Sequence, residues 1–132
     1  MPDETRRQRV LVVDDDPVQL EYYMAVLESD YDVMTAHSIH DAIEMLRSGT
    51  PVDALASDMY LGRGRSGIDL LAWVGEHQPD LITRFVIISG NPVVDTGAYS
   101  VRVIMKPVDP GELLQSVSML LEQDPEQTIT AG

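Results

Sequence analysis

The sequence lacks cysteine altogether, which excludes disulfide bonds and thiolate-bound metals. Basic residues are scarce, because nine Lys and Arg oppose 22 Asp and Glu and leave a formal net charge of −13. Apart from Arg6, Arg7 and Arg9 there is no basic cluster. This argues against nucleic-acid binding, since that affinity comes mainly from neutralising phosphates.

Long apolar runs are also missing. No stretch approaches the roughly 18 residues of a membrane-spanning helix, and residues 1–5 lack the apolar core of a signal peptide. The hydrophobic fraction of 44% is nevertheless ordinary, and 132 residues are enough for one core. We therefore expect one acidic, cytoplasmic domain over residues 9–122, with a flexible segment at 1–8 and a flexible tail or truncated linker at 123–132.

Short apolar runs alternate with helical patterns within this domain. Strands are predicted at about 9–13, 32–36, 52–57, 85–88 and 101–105. Helices are predicted at about 17–29, after Ser38, after the loop 61–67, and from 110 to about 122. The first helix should bury Leu20, Met24 and Leu27, and several methionines should lie in or near the core, namely Met34, Met45, Met59, Met105 and Met119. Such alternation predicts a parallel sheet with helices on both faces.

Polar residues follow four of the predicted strands, namely Asp14, Asp15 and Asp16 after the first, Asp58 after the third, Ser89 after the fourth and Lys106 after the fifth. In a parallel sheet these ends meet along one edge, where ligands bind at the point of reversed strand order. Two carboxylates about 5 Å apart repel by roughly 3 kcal/mol at an effective dielectric near 20, so the acidic cluster predicts a bound cation. Lys106 is the single lysine of the chain, and lysine differs from arginine as a compact charge beside phosphate.

This ordered set of residues resembles the receiver domain of two-component response regulators of the chemotaxis-regulator type. The resemblance spans about residues 9–122 and is carried by Val10–Pro17, Asp58, Ser89–Gly90 and Lys106–Pro107. It implies a flavodoxin-like, doubly wound sheet of five parallel strands in the order 2-1-3-4-5. It also implies a signalling switch that accepts a phosphoryl group from a histidine kinase or phosphotransfer protein and acts on an unidentified downstream protein.

The resemblance also implies a role for each residue at this edge. Asp58 is the expected phosphoacceptor and, with Asp14, Asp15 and the backbone carbonyl of Tyr60, belongs to the expected Mg²⁺ site. Ser89 and Lys106 are expected to contact phosphoryl oxygens, and Lys106–Pro107 is expected to be a cis peptide. Asp16 matches no ligand position and is interpreted as a solvated loop residue. No enzymatic activity is expected beyond Mg²⁺-dependent self-phosphorylation and self-dephosphorylation.

Two features depart from the family pattern. The family usually has Tyr or Phe three residues before the lysine, where it moves inward as the hydroxyl moves toward phosphate. Here that residue is Val103, which is small and stiff at χ1. About eleven residues separate Ser89 from the fifth strand, so we expect a shortened or missing fourth helix. Tyr99 is a candidate to replace the missing aromatic residue.

Two other functions are compatible with parts of this pattern. A receiver-like adaptor would bind partners without phosphorylation, although the complete acidic set and Lys106 argue against it. A Mg²⁺-dependent small-molecule phosphatase would also use an aspartyl nucleophile. Such enzymes usually need an acid/base carboxylate two residues later, where this chain has Tyr60, and a cap for which the chain has no room.

Overall fold

The computed structural model describes residues 7–91, 94–97 and 99–122. Most of the predicted flexible segments, 1–8 and 123–132, therefore lies outside the described residues. Arg7 and Gln8 are the exception, and both are exposed. Within the described chain, no helix is long and apolar enough to cross a membrane.

Five parallel strands form one sheet in the predicted order 2-1-3-4-5. They are β1 (Arg9–Val13), β2 (Asp32–Ala36), β3 (Ala54–Asp58), β4 (Phe85–Ser89) and β5 (Arg102–Met105). Strands β1, β3 and β4 consist almost wholly of buried residues, as expected for strands that are covered on both faces. In the register, Val13 pairs with Ser57, so Asp14 and Asp58 occupy equivalent positions at the ends of adjacent strands.

Among the described residues, four α-helices cover the two faces of the sheet. They are α1 (Pro17–Leu27), α2 (Ile39–Arg47), α3 (Gly67–His77) and α4 (Pro110–Glu122), and a 3-10 helix spans Pro79–Arg84 between α3 and β4. Alternate residues of each strand enter different cores. Val10 and Val12 pack with α1 and α4, whereas Leu11 and Val13 pack with α2 and α3. The sheet is thus the middle layer of a three-layer domain.

Side-chain caps determine where three of the helices begin. Ser38 accepts a hydrogen bond from Asp41 N at 3.0 Å at the start of α2, and Ser66 and Asp69 form a reciprocal capping box at the start of α3. Asp16 was interpreted as a solvated loop residue, and it is an exposed residue of the loop before α1. Its Oδ1 accepts a hydrogen bond from Val18 N at 2.9 Å and caps α1 directly before Pro17.

Several details of packing differ from the predictions. Tyr23, rather than Met24, is the fully buried residue at the centre of α1. Met105 and Met119 are 37% and 41% exposed, so these two methionines are not core residues. The 3-10 helix was not predicted, because six residues that begin with a proline carry too little periodicity to identify.

The segment between β4 and β5 agrees with the expectation of a shortened or missing fourth helix. None of its described residues, 90, 91, 94–97 and 99–101, is helical. Tyr99 N donates a hydrogen bond to Thr96 O at 3.2 Å, and the Thr96 hydroxyl donates to Tyr99 O. The chain therefore returns to β5 through a tight turn, and Tyr99 packs with the core on the α2–α3 side of the sheet.

Candidate functional site

The site lies at the carboxyl edge of the sheet, where backbone hydrogen bonds continue beyond the strands. Asp14 N donates to Ala36 O at 3.1 Å, Met59 N to Ile88 O at 2.8 Å, and Lys106 N to Ser89 O at 2.9 Å. These bonds hold the residues that follow β1, β3 and β5 in line with the neighbouring strands. The side chains of the acidic residues and of Lys106 are therefore carried by regular backbone rather than by long loops.

Three carboxylates meet at this edge. Asp14, Asp15 and Asp58 can each offer one oxygen such that all three oxygens lie within 4.8 Å of one another. Asp14 and Asp58 are buried, whereas Asp15 is exposed. Like charges this close repel each other, so the cluster needs positive charge nearby.

Lys106 supplies part of that charge. Its Nζ lies 2.6 Å from Asp58 Oδ1. Burial alone would lower the pKa of Lys106, but the hydrogen bond and the charge of Asp58, with smaller contributions from Asp14 and Asp15, outweigh it and raise the pKa. Lys106 therefore remains protonated at neutral pH, and one ammonium faces three carboxylates.

The excess of negative charge affects the pKa of Asp14. Burial raises the pKa of Asp14 to about 6, and the negative charge of Asp58 adds to the effect. A hydrogen bond from Asp16 N to Asp14 Oδ1, at 3.0 Å, acts in the opposite direction. Asp14 Oδ2 is buried without a hydrogen-bond partner among the described residues. A buried carboxylate oxygen without a partner, beside two further carboxylates, fits a hard divalent cation such as Mg²⁺.

A glycine allows the backbone of α3 to approach the backbone of Asp58. A Cβ on Gly67 would lie 2.6 Å from Asp58 O and 3.1 Å from Ser57 Oγ, closer than ordinary contact. Gly67 N also donates a hydrogen bond to Met59 O at 2.7 Å. The first residue of α3 thereby holds the backbone directly after Asp58, and a side chain at position 67 would displace the Asp58 carbonyl.

Ser89 lies at the same edge, but its hydroxyl is occupied elsewhere. Ser89 Oγ donates to Asn91 O and accepts from Asn91 N, both at 3.0 Å. The side chain is buried and bonded to its own loop. A contact of this hydroxyl with a phosphoryl group would require the Ser89–Asn91 bonds to break or to be shared.

Two further predicted features lie at this edge of the sheet, namely Tyr60 and the Lys106–Pro107 peptide bond. Tyr60 N donates to Asp58 Oδ2 at 3.2 Å, and the Tyr60 side chain is 66% exposed. The Lys106–Pro107 peptide is cis, as the resemblance implied. The structure therefore brings Asp14, Asp15, Asp58 and Lys106 together, and it leaves the hydroxyl of Ser89 in a separate hydrogen-bonded turn.

Sequence reasoning missed one polar group near this cluster. Tyr23 of α1 is fully buried, and its hydroxyl has no hydrogen-bond partner among the described residues. Burial raises the pKa of Tyr23, and the charges of Asp14 and Asp58 raise it further. Its position three residues after Leu20 indicates the buried face, but no sequence signal places its hydroxyl within the field of the carboxylates.

Comparison with known proteins places this geometry in a family. Residues 10–118 match the family model described as the response regulator receiver domain. The chain belongs to this family. The match covers β1 to most of α4, and therefore every strand end that carries a site residue.

Solved structures of other receiver domains share the fold. The signal receiver domain of an HD domain-containing protein from Pseudomonas fluorescens Pf-5 has a TM-score of 0.78 and 27% identity, covering 89% of this chain and 96% of that chain. A response regulator receiver protein from Sinorhizobium medicae WSM419 has a TM-score of 0.77 and 26% identity, covering 87% and 94%. The five-stranded, flavodoxin-like receiver fold predicted for this chain is confirmed.

A longer protein contains a similar segment. A protein-glutamate methylesterase/protein-glutamine glutaminase from Nitrosospira multiformis is 33% identical to this receiver domain over 107 residues. The aligned region is 79% of this chain but only 28% of that protein. The chain therefore spans little more than a quarter of the length of this relative.

Proposed function

We propose that this receiver domain is a phosphorylatable switch that accepts a phosphoryl group from a phosphohistidine onto Asp58. The observation that carries the proposal is the contact of Lys106 Nζ with Asp58 Oδ1 at 2.6 Å, beside the carboxylates of Asp14 and Asp15. This arrangement combines a nucleophile and a cation with ligands for a second cation. Phosphoryl transfer requires this kind of positioning and charge neutralisation.

In the proposed reaction, a carboxylate oxygen of Asp58 forms a bond to phosphorus as the bond between phosphorus and the histidine nitrogen breaks. The bonding electron pair stays on the imidazole of the donor. Lys106 orients Asp58 before transfer and offsets charge on a phosphoryl oxygen afterwards. Ser89 would leave its turn with Asn91 to donate to another phosphoryl oxygen.

Mg²⁺ would be held by Asp14, Asp15, Asp58 and the backbone carbonyl of Tyr60, and when bound it would neutralise charge on the carboxylates and the incoming phosphoryl group. The unpartnered Asp14 Oδ2 supports this assignment. The reaction modifies the domain itself, so no activity on an external substrate is proposed. The proposed phosphoryl donor is a histidine kinase or a phosphotransfer protein in the cytoplasm, where ATP supplies the phosphoryl group. A downstream protein would then recognise the phosphorylated domain.

Phosphorylation by a small donor tests the proposal. The chain is incubated with phosphoramidate or acetyl phosphate, with and without Mg²⁺, and its intact mass is measured. A gain of one phosphoryl group is expected with Mg²⁺, and it should be absent in Asp58→Asn. Asp30→Asn, an exposed carboxamide substitution outside the site, serves as the matched control and should be phosphorylated like the parent.

Two outcomes would contradict the assignment. A mass gain that persists in Asp58→Asn would place the phosphoryl group elsewhere. No mass gain in the parent with Mg²⁺ would favour the adaptor reading, in which the domain binds partners without phosphorylation. The phosphatase alternative predicts turnover of the donor without a stable adduct on Asp58.

A second measurement tests the metal ligands. Mg²⁺ should raise the melting temperature of the parent, because a ligand that binds the folded state stabilises it. Asp15→Asn should raise the melting temperature without metal, since it removes one of three repelling charges, and it should abolish the increase produced by Mg²⁺. An unchanged response to Mg²⁺ in Asp15→Asn would exclude Asp15 as a ligand.

A further inference from the structure

A concavity lies beside the acidic cluster, next to the start of α2. Its volume is about 630 Å³, and its lining residues come from the loops after β1, β2 and β3 and from the start of α2. Asp15 comes from the loop after β1, and the lining residues after β2 and β3 are His37, Ser38, Ile39, His40, Leu61, Gly62, Arg63 and Arg65. A cavity of this size lies within the range of small-molecule sites, roughly 300–1,000 Å³.

Arg63 and Arg65 give this cavity a positive rim. Two other basic side chains form ion pairs among the described residues, Arg9 with Asp32 at 2.9 Å and Lys106 with Asp58 at 2.6 Å. Among the described residues, neither Arg63 nor Arg65 forms an ion pair. Two guanidinium groups without an ion pair among the described residues therefore line one cavity. Guanidinium groups match the geometry of phosphate oxygens particularly well.

The two carboxylates of α2 near the cavity lie beside histidines. His37 Nε2 lies 2.9 Å from Asp41 Oδ2, and His40 Nε2 lies 3.7 Å from Glu44 Oε2. The carboxylates of α2 are thus directed to the histidines. Asp15 also lines the cavity, so a dianion there faces two guanidinium groups, two imidazoles and one carboxylate.

The inner wall of the cavity is apolar. Ile39 and Leu61 are only 6% and 5% exposed, and both line the cavity. Apolar surface beneath a positive rim suits a ligand with a charged group at one end and an organic group at the other. An inorganic anion would use the rim and leave the apolar wall without a contact.

We propose that this cavity binds a small organic phosphate monoester. Arg63 and Arg65 hold the phosphate, and the organic group packs against Ile39 and Leu61. This binding site is separate from Asp58 and does not depend on its phosphorylation. Because Asp15 borders both places, the ligand would lie next to the acidic cluster and would be positioned to influence it.

The three histidines of the chain provide built-in reporters for a test by NMR. His37 and His40 line the cavity, whereas His77 stacks on Trp73 of α3, with the ring centroids 4.4 Å apart. Phenyl phosphate is titrated into the full chain in buffer without Mg²⁺, so that metal-bound phosphate does not contribute. We expect saturable shifts of the ring signals of His37 and His40, with His77 unchanged. Inorganic phosphate should bind several-fold more weakly, and phenol should give no shifts.

Variants locate the binding. The double variant Arg63→Gln, Arg65→Gln should weaken phenyl phosphate at least tenfold, whereas Arg47→Gln, an exposed arginine of α2 outside the cavity, should leave the affinity unchanged. Asp58→Asn should also retain binding, so that failure of the proposed phosphorylation would not remove this result. The proposal would be overturned by an unchanged affinity in the double variant or by equal shifts with phenol. Loss of binding in Lys106→Ala would also overturn it, because the anion would then bind at the acidic cluster.

Discussion

At the scale of single residues, the position of Tyr60 bears on the lifetime of a phosphorylated Asp58. Tyr60 N bonds to Asp58 Oδ2 at 3.2 Å, which fixes the residue directly beside the carboxylate. Its side chain is large and 66% exposed, so it stands at the solvent side of the site. A water molecule that hydrolyses an aspartyl phosphate must approach phosphorus in line with the leaving oxygen, and a bulky neighbour restricts that approach.

We therefore expect Tyr60→Asn to shorten the half-life of phosphorylated Asp58 by several-fold. Tyr60→Phe keeps the bulk of the ring and removes only the hydroxyl, so it should dephosphorylate at the parent rate. The measurement is the decay of the phosphorylated mass after removal of the donor. Dephosphorylation of Tyr60→Asn at or below the parent rate would show that the ring does not shield the site.

The residue types at the strand ends could be predicted from sequence because a parallel sheet brings its carboxyl ends together. Their positions after apolar runs were enough to predict that four residues lie at one edge of the sheet, namely Asp14, Asp15, Asp58 and Lys106. The orientation of the Ser89 hydroxyl could not be predicted, because it depends on the loop backbone at Asn91. The cavity of Arg63 and Arg65 was also missed, since its lining residues come from three loops and the start of α2, which lie far apart in sequence.

At the scale of structural elements, the segment between β4 and β5 has no helix among its described residues. A Cβ on Gly75 of α3 would lie 2.2 Å from the Tyr99 hydroxyl and 2.5 Å from its Cζ. Tyr99 therefore packs directly on the backbone of α3, and Gly75 makes that contact possible. An aromatic side chain thus anchors this segment, although it lies four residues before Val103 and outside the strand.

Substitution of Gly75 tests whether Tyr99 packs tightly on α3 or makes only a loose surface contact. In a helix free of neighbours, Gly→Ala stabilises by up to about 1 kcal/mol. Here the added methyl group would overlap Tyr99, so we expect Gly75→Ala to destabilise the domain by roughly 1–3 kcal/mol. Urea unfolding provides the measurement, and the sign of the change is the decisive result.

A double-mutant cycle with Tyr99→Ala supplies the control. In that background the methyl group has room, so Gly75→Ala should become neutral or stabilising, and the two substitutions should be strongly non-additive. A stabilising effect of Gly75→Ala in the parent would mean that Tyr99 does not occupy this position in solution. Additive effects would mean that the two residues do not contact each other.

At the scale of the whole molecule, the burial of Asp14 within the acidic cluster predicts that stability depends on pH. The pKa of Asp14 rises from 3.8 to about 6 on folding, mainly because the group is buried. Between these two values the folded state binds a proton that the unfolded state does not. The free energy of unfolding contributed by Asp14 therefore falls as the pH rises from about 4 to about 6, and stays at its lower value above that range.

We accordingly expect the metal-free domain to gain stability, on the order of 2 kcal/mol from Asp14, when the pH is lowered from 7 through this range. Asp14→Asn cannot bind this proton. The difference in the free energy of unfolding between the parent and this variant therefore separates the contribution of Asp14 from that of other titrating groups. Mg²⁺ should reverse the trend, because a cation favours the ionised carboxylate, and its stabilising effect should weaken as the pH falls below about 6. Urea unfolding from pH 4.5 to 7.5, with and without Mg²⁺, measures both effects. If the free energy of unfolding of the parent changed with pH in parallel with that of Asp14→Asn, Asp14 would already be ionised in the folded, metal-free domain. The burial of Asp14 alone would then not make the cluster dependent on a cation.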